Sequence, residues 1–96
     1  SMAAHGARRL ARMNDNLAVI LGVELLCAAE GVEHRAPLVT SRPLQAAVAK
    51  LREHVTPLTA DLYMAGDIEA AARLVSTRAL VAATSTAPLL VVGEIA

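Results

Sequence analysis

Few side chains in this sequence are of the kinds that do chemistry, and their spacing decides what they can do. The histidines His5, His34 and His54 are spread along the chain. A helix-borne metal pair needs two such ligands one turn apart, and no two of these have that spacing. Surface or interface histidines are therefore expected, and no metal site. Cys27 stands in the most apolar stretch, with no histidine or basic residue close in sequence to favour a thiolate. That setting predicts a buried structural thiol rather than a nucleophile. A single cysteine also excludes an intramolecular disulfide and fits a reducing compartment.

The cluster Arg8, Arg9 and Arg12 has the charge to hold a phosphate. However, Lys+Arg and Asp+Glu balance at nine each, and no aromatic residue is interleaved with the arginines. A nucleic-acid binder shows a clear basic excess. No nucleic-acid partner is expected, and the arginines read as a solvated face or as inter-subunit ion pairs. Glu24 interrupts the apolar run around Cys27. Buried alone, a carboxylate costs roughly several kcal/mol or takes up a proton. We therefore expect Glu24 to meet an arginine or a hydroxyl of a neighbouring helix at an assembly interface, not to act as a catalytic acid.

The elements that position these groups read as helices. The stretch "NLAVILGVELLCAAEG", Asn16 to Gly31, is apolar on nearly every side, and the pattern predicts one long helix from Ser1 to Glu30. Ser1 is placed to cap its start and Gly31 to end it in a left-handed conformation. Asp15 follows Arg12 at a spacing that suits an ion pair on one helix face. Pro37 and Pro43 interrupt the connector "VEHRAPLVTSRP", with Ser41 as the expected N-cap of a second helix running from about Arg42 to Val55. Its buried face is Leu44, Ala47, Val48, Leu51 and Val55. After the irregular "LTADLYMAG", Asp67 is the expected N-cap of a third helix that buries Ile68, Ala71, Ala72 and Val75 and extends to about Ala83. "LLVVGEI" reads either as an extended edge or as a disordered end.

Composition sharpens the problem. The chain is 55% apolar but holds no Trp, no Phe and one Tyr, so Ala, Leu and Val must build the core. A membrane-spanning helix needs ~18 or more apolar residues with few charges, and Glu24 and Pro88 break the two candidates. No signal peptide is legible, so a cytoplasmic protein with no membrane partner is expected. A helix apolar all round belongs inside something large, and two short helices cover about two of its sides. Each large aliphatic left in water forfeits about 1.5–3 kcal/mol. The fold class is therefore all-α, a long N-terminal helix plus two shorter ones, packing as a helical bundle in an oligomer. The candidate interface is Leu17, Val19, Ile20, Val23 and Glu24.

The blocks "SMAAHGARRL", "NLAVILGVELLCAAEG", "HRAPLVTSRPLQAAVAKLREHV" and "DIEAAARLV", in this order and spacing, resemble the C-terminal region of bacterial histidine ammonia-lyases, within the aromatic amino acid lyases. The resemblance covers about residues 1–80, leaving 81–96 as a tail without a counterpart. It implies a mostly α-helical protein whose long central helices pack together in tetramers. It also implies the conversion of L-histidine to urocanate and ammonia by a self-formed methylidene-imidazolone. That electrophile arises from an Ala-Ser-Gly triplet, and this chain has none. The family's catalytic tyrosines, Asn and Arg are implied to lie earlier in the protein, with an acidic active-site residue just before Ser1-Met2. Tyr63 matches none of those tyrosines. Two positions depart from the family pattern, Asp61-Leu62 where Asp-Arg is usual and Gly66 where Pro precedes Asp-Ile.

The expected function is thus that of a C-terminal helical fragment with a structural, oligomer-forming role, inactive alone and carrying no catalytic, cofactor or metal residue. Its expected partners are further copies or the remainder of a lyase. One alternative is half of a split lyase whose other chain supplies the catalytic groups. Another is an unrelated helical interaction module.

Overall fold

The computed structural model describes residues 2–58 and 63–84, so the expectations for Ser1, for Asp61-Leu62 and for "LLVVGEI" lie outside the described residues. The described chain is all α-helical, with α1 at Met2–Glu33, α2 at Arg42–Arg52, α3 at Ala65–Ser76 and α4 at Ala79–Thr84. Among the described residues no helix is long and apolar enough to cross a membrane.

The first helix runs further than Gly31. It passes through that glycine to Glu33 and closes in a turn in which His34 and Leu38 donate to Glu30 and Arg35 carbonyls. The stop is Pro37, which disfavours helical backbone in the residue before it. Beyond Gly31 the last turn is tied to α2, because Arg52 holds both Glu30 and Glu33. The second helix starts as expected, with Ser41 as N-cap and Pro43 in the first turn, but the Ser41 side chain makes no capping bond. Its carbonyl instead accepts the Gln45 N–H. Regular helix ends at Arg52 rather than Val55, although Val55 still donates to the Leu51 carbonyl and is buried.

The third helix begins two residues before the expected cap, with Met64 as N-cap and Asp67 inside the first turn. There the Asp67 carboxylate favours the helix dipole without capping it. The chain does not run on as one helix to Ala83. Arg78 adopts a left-handed backbone with φ 63°, the conformation that closes many helices, and α4 is a separate short helix. Its start is held by Ala82 donating to the Arg78 carbonyl.

The core is small. Leu26 and Ala29 of α1, Leu51 and Val55 of α2 and its last turn, and Ala71 and Leu74 of α3 form one buried cluster, with Val48, Met64 and Ile68 packed on its edge. Two expected positions fall elsewhere. Leu44 is exposed on α2, and on α3 Leu74 is buried beside Ala71 while Val75 is half-buried. Helix α1 packs chiefly against α3, while α2 packs against α4. The α1–α3 crossing is close because Gly22 sits in it: a Cβ there would stand 2.8 Å from the Ala72 backbone nitrogen. The whole is a slab 18 Å thick, about two helix diameters. A slab that thin covers one side of α1 and leaves the other uncovered.

Candidate functional site

Helix α1 carries both the uncovered apolar face and the charged cluster that joins it to the rest of the chain. Residues 2–17 are exposed without exception, so the first half of α1 projects as an arm. Further along, Leu17 is 50%, Val19 45%, Ile20 57% and Val23 39% exposed, and Glu24 is exposed as well. At ~100° of turn per residue, Leu17, Ile20 and Glu24 share one stripe. Val19 and Val23 lie about a third of a turn away on the flank. Leu10 and Met13, absent from the sequence reading, extend the first stripe towards the N-terminus and are likewise exposed. The signal that could have found them was their helical spacing from Leu17.

Several charged groups sit differently from expectation. Among the described residues Glu24 has no ion-pair partner, although it lines a shallow hollow with Leu21, Leu25 and Arg78. Arg12 and Asp15 form no ion pair despite their spacing. Both point into water, where such a pair gains little against side-chain entropy. Cys27 is exposed rather than buried, because the buried side of α1 is set by Gly22, Leu26 and Ala29. Among the described residues no three His, Cys, Asp or Glu side chains gather to hold a metal ion.

Among the described residues, one built polar site was not foreseen. Arg52 at the end of α2 reaches back to the end of α1. Its Nε donates to Glu33 Oε1 at 2.7 Å and its Nη2 lies 2.6 Å from the same oxygen, while Nη2 also donates to Glu30 Oε1 at 3.1 Å. Nη1 donates to the Val55 carbonyl at 3.4 Å. Glu30 Oε1 additionally accepts the Leu58 N–H at 2.8 Å, and His34 Nε2 lies 3.5 Å from its other oxygen. The Glu30 carboxyl is held below its ordinary value, first by the Leu58 hydrogen bond and then, against the opposing pull of burial, by Arg52 and His34. Glu30 and Glu33 at a helical i, i+3 spacing and Arg52 off the apolar stripe of α2 were visible, but nothing in the sequence said that these two helix ends meet.

This clamp joins the ends of α1 and α2, and Glu30 and Arg52 also line a hollow with Cys27, Leu58 and Met64. What the arrangement leaves free is the outer face of α1. Comparison with known proteins gives that face its context. The family model for aromatic amino acid lyases matches residues 1–53, which span α1, the connector and α2. The chain belongs to the aromatic amino acid lyase family. It is 58% identical over all 96 residues to a histidine ammonia-lyase of Roseobacter denitrificans, of which it covers 18%. It is 64% identical over 83 residues, 86% of its length, to a histidine ammonia-lyase of Bradyrhizobium diazoefficiens, of which it covers 16%. The chain thus spans less than a fifth of the length of these lyases. No solved structure matches it.

Proposed function

We propose that this chain is a C-terminal helical segment of a histidine ammonia-lyase-like protein and that its role is scaffolding. In this reading the outer face of α1 enters a larger cytoplasmic helical bundle, built with the remainder of the lyase and with further subunits. The observation that carries the proposal is the exposure of Leu10, Met13, Leu17, Ile20 and Val23 on one helix. Each such side chain loses roughly 1.5–3 kcal/mol by staying in water, and a helix apolar on its outer side has no reason to be so without a partner.

The family reaction converts L-histidine to urocanate and ammonia at a methylidene-imidazolone made from Ala-Ser-Gly. The 96 residues contain no such triplet, so the electrophile and the groups that act on the substrate come from the remainder of the lyase. The test is direct: purified chain is mixed with L-histidine and urocanate absorbance is followed. We expect the rate of a buffer blank, and turnover above it overturns the scaffold reading. Size exclusion with light scattering is the companion measurement, with an oligomer expected and a lone compact monomer as the contrary result. A split lyase, in which a separate chain supplies the catalytic part, is supported by the same uncovered face. Co-expression with that part, giving a complex and restored turnover, is its expected outcome.

A further inference from the structure

Two opposite charges stand at the rim of one apolar hollow. It lies where α1, α3 and α4 come together and has a volume of about 340 Å³. Leu21, Leu25, Val75, Leu80 and Val81 line it, and Glu24 and Arg78 are its only charged lining among the described residues. At ~100° of turn per residue, Leu21 and Leu25 fall on a flank of α1, between the buried side of Gly22, Leu26 and Ala29 and the exposed stripe of Leu17 and Ile20. Glu24 stands at the edge where that stripe meets the hollow.

The fold makes no use of either charge. Among the described residues no ion pair engages Glu24 or Arg78, and the two are not paired with each other. Both residues are exposed. Arg78 holds the left-handed turn between α3 and α4, where the backbone is served better by glycine. Glu24 interrupts an aliphatic run in which another Leu or Val would continue the pattern.

An apolar hollow with one charge at its rim suits an amphiphile of opposite sign. Here a fatty carboxylate meets Glu24 and an aliphatic amine meets Arg78, so a ligand of single sign gains one attraction and suffers one repulsion. A zwitterion with an aliphatic body satisfies both, its ammonium on Glu24 and its carboxylate on Arg78. An α-amino acid carries these two groups on one carbon. The volume agrees, since it falls at the low end of the roughly 300–1,000 Å³ of small-molecule sites. A polar ligand side chain gains no partner from a lining otherwise built of Leu, Val and Ala. From the charge pair and the aliphatic lining together, we propose that this hollow binds a free aliphatic α-amino acid, of the leucine or valine type. The site is built from three helices of one chain, goes beyond the scaffold reading and does not rest on it.

The test titrates the methyl-labelled, full 96-residue chain with L-leucine and follows carbon–proton correlation spectra. Saturable shifts of the Leu21, Leu25, Val75, Leu80 and Val81 methyls are expected, with a Kd of about 1–10 mM for so shallow a hollow. N-acetyl-leucine lacks the ammonium and leucinamide lacks the carboxylate, and each is expected to bind at least about threefold more weakly. L-histidine is expected to bind more weakly than L-leucine as well. Glu24→Gln and Arg78→Gly are expected to weaken L-leucine to the same degree while the thermal melts stay close to wild type. Arg9→Gln, outside the hollow, is expected to leave the titration unchanged. Glu24→Arg is expected to exchange the ligand class, losing L-leucine and gaining isocaproate, which is leucine without its amine. The absence of saturable shifts up to ~50 mM L-leucine overturns the proposal. Equal binding of N-acetyl-leucine and leucinamide also overturns it, reducing the hollow to a sticky surface. If L-leucyl-L-leucine binds about tenfold tighter than L-leucine, the occupant is a peptide and the amino-acid assignment falls.

Discussion

Gly22→Ala is the sharpest probe of this fold, because two effects of one methyl group act in opposite directions. In an isolated helix the change is favourable by about 0.8–1.0 kcal/mol. In α1 the new Cβ would stand 2.8 Å from the Ala72 nitrogen, 3.1 Å from the Ala72 Cα and 3.2 Å from the Ala71 carbonyl carbon. These are backbone atoms and cannot swing aside as a side-chain tip would. Ordinary contact lies at ~3.5–4.0 Å, so α3 must retreat by about 0.7–1 Å. That retreat loosens the contacts of Leu26, Ala29, Ala71 and Leu74, which share the cluster. Overpacking of this kind costs roughly 1–3 kcal/mol, and a gap of that width forfeits a quarter or more of the dispersion energy across it. The net expectation is a loss of up to about 2 kcal/mol, seen as a fall in Tm of up to roughly 15 °C. The assay is thermal unfolding by circular dichroism at fixed protein concentration, since association shifts apparent stability. Gly31→Ala is the paired control. Nothing lies within 4 Å of its would-be Cβ, and it should gain about 0.5–1 kcal/mol. If Gly22→Ala melts at or above the wild-type temperature, α1 and α3 do not cross at Gly22, and the reasoning fails.

Three further expectations follow from other parts of the chain. Leu51 is fully buried, so Leu51→Ala should cost about 2–5 kcal/mol by urea unfolding, and a loss under ~1 would mean that α2 does not seal the core. The Glu30 carboxyl is depressed below its ordinary 4.5 by the Leu58 N–H and by Arg52. The folded state thus favours its ionised form, and that stability is complete above pH 4.5 and drains away as pH falls through the depressed value. Glu30→Gln should flatten the Tm profile on the acid side, and an unchanged profile would remove the clamp from the account. Arg78 holds a left-handed backbone, so Arg78→Gly should be neutral or stabilising by up to about 1 kcal/mol, measured by the same melts, whereas a clear loss would assign the arginine side chain a structural task.

The helical fold class was legible from residue order because its signals are local. The stripe Ala47, Val48 and Leu51, the prolines at 37 and 43 and the cap at Ser41 act within a few residues of themselves. The resemblance to the lyases was equally a matter of residue order. The helix ends were less secure. Gly31 and Asp67 carry the right residue types for a stop and a start. Arg52 holds the last turn of α1 together past Gly31, and the left-handed Arg78 closes α3 without a glycine.

What only the tertiary structure decided is which side of α1 the chain keeps for itself. By residue order alone nearly every side was apolar, and Cys27 counted as buried. Packing reversed that, because only a residue without Cβ lets α3 approach closely, so Gly22, Leu26 and Ala29 turn inward and Cys27 turns out. The same crossing brings the end of α2 to the end of α1, which is why Glu30, Glu33 and Arg52 meet. Local pattern specifies a helix; the distance of closest approach between two helices specifies its faces, and that distance depends on residues far apart in the chain.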